Sequence, residues 1–188
     1  MKKLAGLLVL LLILTGCRSA SGPLHRAIAF RAELLEGEGC TFDAKVTADY
    51  GDLIHSFSMA CQADAAGALS FTVTEPESIR GITGTLSAEG GELTFDGTAL
   101  HFELMAEGVL SPVSAPWIFL NTLRGGYLTS ACQEGELLHI SADDSYREDA
   151  LHLDIRLDNQ DTPVSAEILH KNRRILTLEL QNFRILSP

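Results

Sequence analysis

From Cys40 onward the chain is dominated by period-two alternation, and that pattern restricts it more than any other feature. Phe42, Ala44, Val46 and Ala48 alternate with Thr41, Asp43, Lys45 and Thr47. Shorter runs follow at Leu69–Phe71–Val73, Ile82–Gly84–Leu86, Leu93–Phe95 and Leu100–Phe102. Later come Tyr127 to Gln133, Leu137 to Ala142, Leu151–Leu153–Ile155–Leu157, Val164–Ala166–Ile168 and Leu176–Leu178–Leu180, with Phe183 and Ile185 beyond. Strict alternation puts apolar side chains on one face of a strand and polar ones on the other. Many short strands separated by turn residues predict an antiparallel sandwich, a barrel or one curved sheet. Asp96-Gly97 is a strong two-residue hairpin signal, and Asp49-Tyr50-Gly51-Asp52 and Glu134-Gly135-Glu136 mark further turns.

Two stretches break the alternation. Leu24, Ala27, Ile28 and Leu34 recur at helical spacing after Pro23, with Arg31 on the same face and Leu35 beside it, and Gly37 and Gly39 would stop that helix. Ser114, with Pro116 in the first turn, opens a second helix from about Ala115 to Arg124, which Gly125-Gly126 ends. Trp117, Ile118, Phe119, Leu120 and Leu123 cover most of its circumference. A helix apolar on several sides is buried on several sides. The fold class expected is mainly β (α+β): an antiparallel sheet, which as a single curved sheet could wrap around this one buried helix, plus an N-terminal helix.

A hairpin closed around Tyr50-Gly51 would bring the apolar faces of its strands together, placing Ala48 opposite Leu53, Phe42 opposite Met59 and Cys40 opposite Cys61. That register predicts a Cys40–Cys61 disulfide, with Cys132 left as a buried thiol. His55 falls on the inward face, where a core histidine is expected.

The N-terminus carries an address. Lys2 and Lys3 precede an apolar run from Leu4 to Leu14, about 11 residues against the roughly 20 that a bilayer-spanning helix needs. A basic start, a short apolar run and small residues at a cut site make a secretory signal. Leu14-Thr15-Gly16-Cys17 resembles the lipobox of bacterial lipoproteins. The resemblance implies cleavage after residue 16 and a diacylglycerol on Cys17. The expected layout is a signal peptide over 1–16, a small polar tether over 17–22 and one domain over 23–188. The net charge of −11 becomes more negative once Lys2 and Lys3 are removed, which disfavours nucleic acid and anionic lipid headgroups as partners. Membrane attachment would rest on the lipid at Cys17. The location expected is extracytoplasmic, lipid-anchored to the cell membrane.

The order of these elements, with Pro76 to Ile82 (PESIRGI), Leu110 to Pro112 and Leu123 to Tyr127 (LRGGY), resembles the LolA, LolB and LppX-like lipoproteins. Within that group it is most similar to envelope lipoproteins of spore-forming Firmicutes, the germination lipoprotein GerS among them. The resemblance implies a half-barrel over helices. Carriers of the group hold acyl chains in the concave face, whereas GerS-like members bind a partner protein. Two function classes stay open: a tethered, non-catalytic adaptor for an envelope protein, or a binder of lipid or another apolar ligand. Phe42, Phe57, Phe71, Phe95, Trp117 and Phe119 are the candidate lining of such a concavity. Full occupation by Trp117 and Phe119 would favour the adaptor.

Chemistry is thin. The six histidines, at 25, 55, 101, 139, 152 and 170, never stand at i, i+4 or beside a cysteine pair, so zinc is unsupported. No nucleophile elbow and no phosphate-cradling loop is present. Asp143 to Asp149 and Asp158 to Asp161 read as solvated loops rather than calcium sites. No catalytic residue, metal or cofactor is expected.

Overall fold

The computed structural model describes residues 22–106 and 109–187. Cys17, its lipidation, the signal expected over 1–16 and all of the tether expected over 17–22 except Gly22 lie outside the described residues.

Helix α1 (Pro23–Glu36) precedes β1 (Gly39–Asp49), β2 (Ile54–Asp64), β3 (Leu69–Glu75), β4 (Thr83–Ser87), β5 (Gly90–Phe95) and β6 (Thr98–Phe102). A small ladder of β7 (Met105–Ala106) with β8 (Val109–Leu110) leads through a 3₁₀ turn into helix α2 (Ala115–Gly125). Strands β9 (Tyr127–Glu134), β10 (Leu137–Asp143), β11 (Leu151–Leu157), β12 (Pro163–His170) and β13 (Arg173–Leu186) complete the chain. Eleven strands form one antiparallel sheet in the order β6-β5-β4-β3-β2-β1-β13-β12-β11-β10-β9. Strands β6 and β9 are not paired with one another, so the sheet is open, as expected of a half-barrel. No helix among the described residues is long and apolar enough to cross a membrane.

The alternation sets the faces. Leu138, Ile140, Leu153, Ile155, Leu176 and Leu178 are all buried on the inner face, and α2 packs into it against β10, β12 and β13. The Asp96-Gly97 hairpin forms as its residues require: both adopt positive φ, and Phe95 pairs with Thr98. Along β13 the inner face moves from Leu176, Leu178 and Leu180 to Phe183. The change of phase falls at Asn182, which has φ 53° and lies within a register shift against β1.

Three expectations need correction. The β1–β2 register is two residues away from the expected one. Asp49 pairs with Ile54, Phe42 with Cys61 and Cys40 with Ala63. Residues 50–53 form a wider turn, in which the Tyr50 N–H donates to the Leu53 carbonyl at 3.0 Å and Asp49 accepts from the Gly51 N–H at 2.8 Å. A two-residue shift preserves the faces, so the apolar pattern cannot tell the two registers apart. The expected Cys40–Cys61 disulfide goes with the old register. The two cysteines are diagonal rather than opposite, a separation of roughly 7 Å that a disulfide does not span unaided, and both are free thiols. Burial pushes the Cys40 thiol up to about 11, against the lowering effect of Arg124. Burial, and then the charges of Asp43 and Cys40, push Cys61 up further. Such thiols are inert.

The second correction concerns α1. It buries Ala27, Phe30 and Leu34, while Leu24 and Ile28 face outward with Leu35. Arg31 turns towards α2, donating from Nε to the Leu123 carbonyl at 2.6 Å. Third, His55 and Cys132 are exposed, not core residues.

Candidate functional site

The site is defined by where the inner face is covered and where it is not. Helix α2 occupies the concavity. Phe119 is fully buried, with its ring edge-on to Phe42 at 6.0 Å and to Phe183 at 6.5 Å between centroids, and Phe42 stacks on Phe183 at 5.5 Å. Trp117 is anchored by its own hydrogen bond. Its indole N–H donates to the Gly67 carbonyl at 3.0 Å, in the turn between β2 and β3. Arg124 donates to the Asp64 carbonyl at 3.0 Å and to that of Ala65 in the same turn. The helix is therefore pinned to the sheet by donors at both ends and by an aromatic cluster between them. Phe57 and Phe71 are also buried in this core.

Towards the β6 edge the inner face becomes progressively exposed: Leu86 is buried, Leu93 and Phe102 are half-buried, and Phe95 and Leu100 are exposed. The register places Phe71, Gly84, Leu93 and Leu100 in one cross-strand row, and Leu86, Gly91 and Phe102 in the next. Phe95 follows two residues after Leu93 on that face. Gly84 is required here. A Cβ on it would stand 2.6 Å from the Phe71 ring and would also strike the Glu92 carbonyl. The ring of Phe102 lies over Gly91 in the same way. Phe95 is 55% and Leu100 62% exposed, and Leu53 in the β1–β2 turn is 54% exposed.

Leu53 also borders a cleft of about 530 Å³, which it lines with Tyr50, His55, Leu93, Phe102, Glu103, Leu110, Ser111 and Pro112. The Tyr50 hydroxyl donates to the Leu110 carbonyl at 2.5 Å and joins the β1–β2 turn to the lead-in of α2, closing the cleft floor. Apolar walls with a few polar groups are the usual make-up of a site for an apolar ligand or side chain. A hollow of about 630 Å³ lies on the outer face over β1–β5, but Thr41, Asp43, Gln62, Thr83, Thr85 and Glu92 line much of it. It suits an apolar occupant less.

Of the six aromatic candidates, Phe42, Phe57, Phe71, Trp117 and Phe119 are thus core, and Phe95 alone is on the open lip. Sequence reasoning missed Tyr50, Leu53, Leu110 and Pro112. Three of them sit in turns or irregular segments, where alternation gives no face. Among the described residues no group of histidine, cysteine, aspartate and glutamate side chains is placed to hold a metal ion.

No protein-family model matches the chain. No curated protein matches it either. Several solved structures are similar in chain path. One is a putative outer membrane lipoprotein-sorting protein domain from Vibrio parahaemolyticus, 9% identical, with 87% of this chain and 92% of that one covered at TM-score 0.49. A LolA superfamily protein from Nitrosomonas europaea is 8% identical over 86% and 94%, at TM-score 0.43. The Mycobacterium tuberculosis lipoprotein LppX is 12% identical over 83% and 95%, at TM-score 0.37.

Proposed function

We propose that the chain is a lipid-anchored, extracytoplasmic, non-catalytic binding module that engages an apolar element of an envelope protein through the cleft and lip at β5–β6. The observation that carries this reading is the occupied concavity: α2, with Phe119 at its centre, fills the space that a carrier would keep for acyl chains. What stays open is a short cleft bordered by exposed apolar side chains, a shape that fits a protruding side chain or short segment better than a diacyl lipid. Anchoring is supported by the Leu14-Thr15-Gly16-Cys17 motif, with 1–16 as signal, 17–22 as tether and 23–188 as the domain. The likeness of PESIRGI and LRGGY to lipoproteins of spore-forming Firmicutes favours the same adaptor role in such an envelope.

The test is a photo-crosslinking amino acid placed at Leu100 and, as a control, at the exposed outer-face residue Thr72, in cells. The Leu100 probe should give one dominant protein adduct and Thr72 none, while lipid extracted with the purified protein stays well below one molecule per chain. A stoichiometric lipid with no protein adduct at Leu100 would replace the adaptor by an acyl-chain binder. Anchoring is tested separately by intact mass: a diacylglyceryl adduct is expected on the membrane-extracted protein, and an uncleaved precursor in Cys17→Ala.

A further inference from the structure

On the outer face of the sheet, far along the strand order from the cleft, Cys132 on β9 lies opposite His139 on β10. Its Sγ is 3.9 Å from His139 Nδ1. The other ring nitrogen, Nε2, is 2.9 Å from Asp154 Oδ1 on β11. Asp154 also accepts from the Ser141 hydroxyl at 2.8 Å, and His152 Nε2 stands 3.5 Å away. Burial works to raise the Asp154 carboxyl, but the hydrogen bonds from Ser141 and His139, together with the charges of His139 and His152, outweigh it and hold the group below its usual 3.8. Asp154 is thus an anion at neutral pH. It fixes His139 with its proton on Nε2 and the free lone pair of Nδ1 turned towards Cys132. Glu134 Oε1, 3.9 Å from the same Nδ1, would steady an imidazolium, and Arg156 lies 3.6 Å from Glu134. A thiol, a base in reach of it and an anion that orients the base are the parts of an activated nucleophile. Cys40 and Cys61 are sealed in the core, whereas Cys132 is exposed.

We propose that Cys132 is an exchange-competent thiol that takes up half of a small disulfide as a mixed disulfide, with His139 as its base and Asp154 as the residue that positions His139. The Cys132 thiol gives its proton to His139 Nδ1, and the thiolate attacks one sulfur of a disulfide such as cystine. A new Sγ–S bond forms as the S–S bond breaks. The leaving thiolate recovers the proton from His139 and departs as a free thiol. Cys132 is oxidised and one half of the small disulfide is reduced, so no other oxidant is needed. Only the supply of such disulfides rests on the extracytoplasmic reading; the reaction itself does not.

The experiment treats the membrane-extracted protein with cystine at neutral pH and follows adducts by peptide mapping. A half-cystine adduct is expected on Cys132, with Cys40 and Cys61 unmodified and so reporting an intact core. The comparison is a double variant, Cys132→Ala with Ser130→Cys, which moves the thiol along the same strand to a position opposite Ser141. Cys132 should react about tenfold faster than the moved thiol, the order that proton removal from a thiol supplies after its lost nucleophilicity. His139→Gln should bring Cys132 down to the rate of the moved thiol. If that variant opens the core, Cys40 and Cys61 will label, and the moved thiol alone decides. Equal rates for Cys132 and the moved thiol would overturn the proposal, as would earlier labelling of either core cysteine.

Discussion

Strands β10 to β13 and strands β4 to β6 carry the same alternating code and meet different fates. In the first group Leu138, Ile140, Leu153, Ile155, Leu176 and Leu178 are essentially inaccessible, because α2 lies across them. In the second, Leu93, Phe95 and Leu100 occupy equivalent inward positions, yet no helix among the described residues covers the lip, and Phe95 and Leu100 are more than half exposed. Period two decides which face a side chain joins. Whether that face is dry depends on a second layer, and here that layer is the two helices, α1 against β1, β9 and β10 and α2 against β10, β12 and β13. An uncovered apolar row at a sheet edge commonly marks an interaction surface.

The contrast can be broken most strongly at α2. Phe119→Ala and Trp117→Ala should each cost about 3–5 kcal/mol, read as a lower denaturant midpoint with unchanged slope, the second also losing the hydrogen bond to Gly67. A near-neutral Phe119→Ala would mean that the concavity is not filled as described. Gly84→Ala should come next, at about 1–3 kcal/mol from overpacking against Phe71. At the open end the expected effect on stability is smallest: Leu100→Ser and Phe95→Ser should stay within about 0.5 kcal/mol, while the Leu100→Ser chain loses its partner. Losses equal to those at Phe119 would erase the distinction between the two regions.

A pH dependence sharpens the covered half from its outer side. Asp154 is held below its ordinary value, so the folded state binds its proton less readily than the unfolded chain does. Its contribution is present above pH 3.8 and is lost as pH falls through the lower folded value. Asp154→Asn should therefore flatten the acid limb of a stability–pH curve by lowering stability at neutral pH, with the difference from the parent chain vanishing at the acid end.

The strands, their faces and the buried helix were legible because each rests on a local period, whereas the open sheet followed only from the resemblance in the order of elements. α2 was recognised from Ser114, Pro116 and its all-round apolar surface, and it runs from Ala115 to Gly125 as expected within a residue. What could not be read were quantities that the period leaves degenerate. The β1–β2 register has two solutions with identical faces, and only the wider turn at residues 50–53, held by the Tyr50–Leu53 hydrogen bond, selects one. In α1, Leu24 and Ile28 match helical spacing as well as Phe30 does, and the choice of buried face follows from docking against β9 and α2 rather than from the helix itself. Cys132 facing His139 was within reach: the short turn at Glu134-Gly135-Glu136 implies that pairing once the two strands are aligned. The cleft was not, since its walls come from turns and from strands whose covering is a tertiary matter.

The central claim is that the α2 half of the concave face is sealed and the β5–β6 half is the surface that binds. Hydrogen exchange on the membrane-extracted protein, with the proposed partner bound and then stripped away, tests it most directly. The account predicts that partner binding slows exchange across Gly90–Phe102 and the turn at residues 50–53, with Ala115–Gly125 equally protected in both states. Protection confined to β9 or the outer face, or an α2 that becomes protected only in the bound form, would contradict it.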